Sequence, residues 1–220
     1  MGLIDEEAFS AVTFIVIDFE TVTPSGRRPE PTEIAAVAVR PRDGAFVETG
    51  RFTSLIRPPG DVAITRFDTA QTGITAEMVA QAPDAATVMS TLERRLTQPP
   101  YLLVAHNAPY EAGLIFDRRD SCPALARTPL LDTVRLARAA YPDMRRHRLD
   151  DLVRHLKITP PVDRHRALPD VLVTLAVFTQ MLEGTTWTSL AQLQAVAGIT
   201  PRALDIERET AKGRQDPLFP

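Results

Sequence analysis

Two carboxylates, Asp18 and Glu20, stand two residues apart at the end of the run F-I-V-I-D-F-E, Phe14 to Glu20. Four apolar residues in a row, three of them aliphatic, read as a strand buried on both faces. Residues i and i+2 of a strand share a face, so both acids project to one side at the end of a core strand. Carboxylates crowded beside a core repel each other and lose hydration, which is costly unless positive charge sits between them. A divalent cation meets that need. A strand ending in a solvated acidic turn is the other reading, and this motif alone leaves both open.

Two later stretches also place acids where the chain enters or leaves the core. His106-Asn107-Ala108-Pro109-Tyr110-Glu111 follows a short apolar strand and sets Glu111 in the first turn of a helix, a place the helix dipole by itself favours for an acid. His165-Arg166-Ala167-Leu168-Pro169-Asp170 opens a long helix, with Asp170 in its first turn and His165 in the loop before it. Asp132-Thr133 reads as a helix cap and is set outside the site.

The elements that must position these side chains follow in order. Thr21 to Pro31 is polar and rich in turn formers, hence a loop. Glu33 to Arg40 and Ala45 to Arg57 read as strands joined by the turn Pro41-Arg42-Asp43-Gly44, which makes an antiparallel meander with the first strand. From Thr75 the period becomes helical: Thr75 caps a short helix through Ala80 and Asp84 a longer one through about Thr97. Pro99-Pro100 stops it, Tyr101 to Ala105 is a strand, and Pro109 suits the first turn of a helix running to about Arg118. Helices are expected over Asp132 to Tyr141, Leu149 to Leu156 and about Arg166 to Glu183. The fold expected is α/β, a mixed sheet flanked by helices. Gly184-Thr185-Thr186 marks a composition shift, dividing a domain (1–183) from a short helical appendage and loose tail (184–220).

At 220 residues, 44% hydrophobic and 24% charged, the chain has ordinary globular composition. Cys122 is the single cysteine, which excludes an intrachain disulfide and a thiolate zinc cluster. No apolar run approaches the ~18 residues of a membrane span, and a cytoplasmic location is expected. The net charge of −3 does not advertise a nucleic-acid binder, although bound cations would offset an acidic cluster. Nearly all positive charge is arginine, lysine occurring only at 157 and 212. The clusters Arg145-Arg146-His147-Arg148 and Arg164/Arg166 lie near the motifs and are candidate phosphate contacts.

Taken together, D-F-E-T, then H-N-A-P-Y-E, then H-R-A-L-P-D resemble the motifs of the DEDDh (DnaQ-like) 3′–5′ exonucleases, in particular the proofreading epsilon subunits of bacterial DNA polymerase III. Thr72-Gly73-Ile74-Thr75, Leu131-Asp132-Thr133 and Leu149-Asp150-Asp151-Leu152 agree between the motifs, and the resemblance covers about Thr13 to Glu183. It implies an RNase H-like fold and a site for two divalent ions, Mg²⁺ or Mn²⁺. By the same resemblance Asp18, Glu20, Glu111 and Asp170 are the metal ligands and His165 the general base. The backbone around Thr21 and the side chain of Asn107 would hold the 3′-terminal nucleotide. The implied substrate is a single-stranded or frayed 3′ end of DNA, cut to nucleoside 5′-monophosphates in proofreading or repair. RNA-directed relatives share these motifs, and an inactive module kept for binding is a further alternative. The chain departs from the family at Glu111, where Asp is usual. The terminal Gln215-Asp216-Pro217-Leu218-Phe219 resembles the Q-x-x-L-F peptide that docks on the sliding clamp. A plain tail with an apolar tip is the other reading of Gln215, Leu218 and Phe219.

Overall fold

The structure, a computed structural model, describes residues 3, 6–161, 165–184 and 187–199. Residues 200–220 of the expected appendage and tail, with Gln215, Leu218 and Phe219, and also Arg164, lie outside the described residues.

The apolar run at the N-terminal end extends into a ten-residue strand, β1 (Thr13–Val22), preceded by the short helix α1 (Glu7–Ser10). β2 (Glu30–Arg42) and β3 (Ala45–Leu55) follow, turned by Asp43 and Gly44, both at positive φ, and complete the antiparallel meander. Three short helices cross back: α2 (Arg66–Thr72), α3 (Ala76–Val79) and α4 (Ala85–Arg94). Thr75 and Asp84 cap α3 and α4 as expected, accepting from Met78 N at 3.3 Å and Thr87 N at 2.8 Å. α2 is an addition to the sequence reading, although its capping box, Thr65 with Asp68, is a local signal that could have revealed it. Then come β4 (Tyr101–Ala105), α5 (Pro109–Phe116), β5 (Leu130–Asp132), α6 (Thr133–Ala140), α7 (Leu149–His155), α8 (Ala167–Glu183), α9 (Leu190–Ala197) and β6 (Gly198–Ile199).

The strands form one mixed sheet in the order β3-β2-β1-β4-β5-β6, with β1, β4 and β5 parallel. Side chains of β1 alternate between two cores. Phe14 and Val16 pack with Val171, Val177 and Phe178 of α8. Ile15, Ile17 and Phe19 pack on the other face with Met89 of α4 and Ala112 and Ile115 of α5. The strand is therefore buried on both faces, and α8 lies on the face shared by Asp18 and Glu20. Residues 187–199 are joined to this body: Trp187 Nε1 donates to Met181 O at 3.2 Å, α9 packs on α6, and β6 pairs with β5. Among the described residues no helix is long and apolar enough to cross a membrane.

Candidate active site

Parallel strands β1 and β4 end side by side, and the acids cluster at their carboxyl ends, where open α/β sheets hold ligands. Asp18 and Glu20 come from β1. Asp170 comes from the first turn of α8, which the apolar contacts of Phe14 and Val16 seat against the same face. Carboxylate oxygens of Asp18, Glu20 and Asp170 all lie within 4.8 Å of one another. A register shift between Glu20 and Thr21 breaks the β1–β2 ladder immediately after the cluster, the kind of irregularity that re-aims a side chain.

Glu111 sits in the first turn of α5 and is buried, with Oε2 lacking any hydrogen-bond partner. Burial pushes its carboxyl up to about 8, with Asp132 adding to the rise. Burial also raises Asp18 well above the usual carboxylate range, helped by the charges of Glu111, Glu20, Asp170 and Glu33. Glu20 is pushed up to about 7 by burial and by Asp170 and Glu33, with Arg166 opposing. Carboxylates crowded and desolvated in this way repel one another, and a bound cation would relieve that repulsion.

These shifts carry a sign. Glu111 and Glu20 hold protons more tightly in the folded than in the unfolded chain, so their contribution to metal-free stability is fullest below about pH 4.5. It falls as pH rises from there to about 8. Urea unfolding in EDTA should show a loss on the order of a few kcal/mol between pH 5 and pH 8 from Glu111 alone. Glu111→Gln should flatten most of that difference; equal stability of the unaltered protein at both pH values would contradict the described burial.

His165 lies five residues before Asp170, exposed, with φ +69°. Asn107 also takes a left-handed conformation, φ +69°, and its backbone N–H donates to Asp132 Oδ1 at 3.1 Å. Asp132 caps α6 through Val134 N at 3.0 Å, as its sequence position suggests, and also accepts from Ala108 N at 3.3 Å. It therefore fixes the turn that presents Asn107 and Glu111, a role its sequence position does not announce. Thr21 Oγ1 and the Tyr110 hydroxyl are 2.6 Å apart, tying the end of β1 to α5. Arg118 Nη2 donates to Glu30 at 2.6 Å and Arg28 pairs with Asp117, so the β1–β2 loop is latched along α5.

Sequence reasoning missed Glu33. It pairs directly across β1–β2 with Glu20, an arrangement of like charges that needs compensation. Arg166 supplies it: Nε and Nη2 reach the two Glu33 oxygens at 2.9 and 2.5 Å, and Ala167 N donates at 3.0 Å. Arg166 is thus committed to Glu33 in the apo geometry, where sequence alone had suggested a phosphate contact. The pair pins the start of α8, between His165 and Asp170, to the sheet. Glu33→Gln should cost about 2 kcal/mol in urea unfolding. A double-mutant cycle with Arg166→Gln should show coupling of about 1 kcal/mol or more; additive effects would mean that the pair does not act as a unit.

Comparison with known proteins covers the span that holds these residues. The RNase_T exonuclease family model matches residues 15–178. The chain is 36% identical over 165 residues to "DNA polymerase III PolC-type" of Oceanobacillus iheyensis, covering 74% of this chain and 11% of that protein. It is 33% identical over 180 residues to "DNA polymerase III subunit epsilon-like protein" of Rhodobacter capsulatus, covering 80% of this chain and 25% of that protein. The chain thus spans between about a tenth and a quarter of the length of these curated relatives. Among solved structures, "Exonuclease X in complex with 5' overhanging duplex DNA" superposes with a TM-score of 0.62 at 27% identity, covering 84% of this chain and 97% of that one. The nuclease domain of a DEDDh family member, 3'hExo, shares the fold with a TM-score of 0.64 at 17% identity.

Proposed function

The chain belongs to the RNase_T exonuclease family, and from that membership we propose that it is a metal-dependent enzyme removing nucleoside 5′-monophosphates from 3′ ends of DNA. The observation that carries this reading is the meeting of Asp18, Glu20 and Asp170 within 4.8 Å. The donors fit the cofactor. All are carboxylate oxygens, which hard cations such as Mg²⁺ and Mn²⁺ prefer, and the buried, unpartnered Oε2 of Glu111 is an acceptor that a cation would satisfy directly or through water. Asp18, Glu20, Asp170 and Glu111 would hold two such ions, which supply a water of lowered pKa and charge neutralisation at the leaving 3′ oxygen.

The remaining chemistry falls to the chain itself. His165, exposed at the mouth of the acidic cluster's helix, accepts the proton of the attacking water at an imidazole nitrogen. The backbone around Thr21 and the side chain of Asn107 orient the terminal nucleotide; the Thr21 hydroxyl is tied to Tyr110 and the Asn107 backbone N–H to Asp132, which hold the two residues in place. DNA is the favoured substrate because the named relatives are DNA polymerase III proteins and Exonuclease X was solved with DNA. We place the activity in proofreading or repair, in the cytoplasm. Gln215, Leu218 and Phe219 are read as a clamp-docking peptide; failure of the C-terminal peptide to bind sliding clamp at about ten to a hundred micromolar would remove that part.

The test of the activity is hydrolysis of a 5′-labelled, 3′-hydroxyl single-stranded oligomer with Mg²⁺ or Mn²⁺. A ladder shortening from the 3′ end and absent in EDTA is expected. The absence of any ladder with either metal, on DNA and on RNA, would overturn the reading.

A further inference from the structure

We propose that the cleft beside Asn107 is a cationic seat for the phosphodiester backbone of a single nucleic-acid strand, upstream of the end being cut; this rests on the nuclease reading above. The cleft has a volume of about 430 Å³ and is lined by His106, Asn107, Arg138, Arg146, His147 and Arg148, together with apolar side chains. Two of its lining residues, His106 and Asn107, belong to the turn that leads into α5 and Glu111.

Its three guanidinium groups are available. Arg138, Arg146 and Arg148 are exposed, and among the described residues none is paired with a carboxylate. Some arginines elsewhere are matched with acids, Arg27 with Asp61, Arg51 with Glu48, Arg118 with Glu30 and Arg166 with Glu33, whereas the cleft gathers three that are not. In a chain with 28 acidic residues against 25 lysines and arginines, three uncommitted guanidiniums on one cleft are a local excess of positive charge. Their setting is built rather than loose. His147 Nε2 donates to Tyr141 O at 3.0 Å and Met144 N to the same oxygen at 3.1 Å, folding the α6–α7 loop back on itself. Arg148 is the N-terminal cap of α7, its carbonyl accepting from Asp151 N and Leu152 N at 3.0 Å each.

The ligand class follows from the chemistry. Planar guanidiniums on a solvent-facing wall recognise phosphate oxygens through paired N–H groups. Such contacts fix a strand's register without reading its sequence. They also answer an electrostatic difficulty, because the acidic cluster on its own repels a polyanion. A cationic wall next to it lets the strand approach and leaves only its end among the carboxylates. Arg146 also borders a second cleft of about 590 Å³ with Arg145, Asp151 and Arg154, where Arg154 is paired with Asp151 and Arg145 adds a further exposed guanidinium.

The experiment compares the full chain with its R138Q/R146Q/R148Q variant, binding a 5′-fluorescein 20-mer of thymidylate by anisotropy in EDTA, where hydrolysis is stopped. The variant should bind at least tenfold more weakly. Its plot of log affinity against log salt should be shallower by about 2, since each single-strand phosphate contact contributes about 0.7. A blunt duplex of equal length should bind the unaltered chain at least tenfold more weakly than the single strand. Equal affinity and equal slope for variant and unaltered chain would overturn the cleft, as would a preference for duplex. Loss of binding with an unchanged urea midpoint separates contact from misfolding. Hydrolysis of the oligomer by the unaltered chain in Mg²⁺ is scored separately. Hydrolysis with unchanged variant binding sinks the cleft and leaves the nuclease, whereas lost binding without any hydrolysis sinks the nuclease and leaves the cleft.

Discussion

Asp18→Ala is expected to lower hydrolysis of a 3′-hydroxyl oligomer by at least about 10³-fold, because a two-cation site contributes several kcal/mol of transition-state stabilisation. The same change is expected to stabilise the metal-free protein. Asp18 lies at the centre of the crowd: burial and four neighbouring carboxylates, led by Glu111, all push its carboxyl upward. Removing it relieves repulsion that no described residue offsets, by about 1–2 kcal/mol at neutral pH. In Mg²⁺ or Mn²⁺ the order reverses. A ligand bound only by the folded state adds about 2.7 kcal/mol at a hundred times its dissociation constant, and the variant forfeits most of that gain. Urea unfolding with EDTA and with metal, run on both proteins, gives the four midpoints. A variant less stable than the unaltered protein in EDTA would mean that Asp18 serves packing rather than a cation.

His165→Gly is expected to reduce turnover by about 10²–10⁴-fold, the usual contribution of a positioned general base, with little change in KM. Here too stability should move against activity. His165 sits at φ +69°, a region that L residues occupy at a cost of about 1–2 kcal/mol and glycine occupies freely. The glycine variant has a more flexible unfolded chain, which offsets part of the relief, leaving a net gain of about 0.5–1 kcal/mol. Turnover within about threefold of the unaltered protein would remove His165 from the reaction.

Much of the fold was legible in the residues because the signals are local. The four-residue apolar run before Asp18 specified a strand buried on both faces, and Phe14 and Ile15 do enter different cores. Thr75, Asp84 and Pro109 marked helix starts that the structure keeps. What escaped was short: β5 and β6, of three and two residues, carry too little pattern for any period to show. β6 exists because β5 offers it an edge, a fact of the sheet and not of the dipeptide Gly198-Ile199. For the same reason the segment after Glu183, which composition set apart, is tied into the sheet through residues 187–199.

The candidate site divides along the same line. Sequence by itself determined which acids could cooperate: Asp18 and Glu20 share a face through the two-residue period of a strand, and Asp170 and Glu111 fall in first turns of helices. Whether those acids meet was not a local matter, since it depends on α8 packing against Phe14 and Val16 more than 150 residues away. Only that packing brings Asp170 to β1. The tertiary structure alone also decided that Arg166 turns inward to Glu33, because the β1–β2 register sets Glu33 across from Glu20 and leaves a like-charge pair for a cation to answer. Arg146 and Arg148, from an equally basic stretch of sequence, have no such acid among the described residues and line the cleft beside Asn107. Charge is written in the residues; its partners are fixed by which surfaces the core brings together.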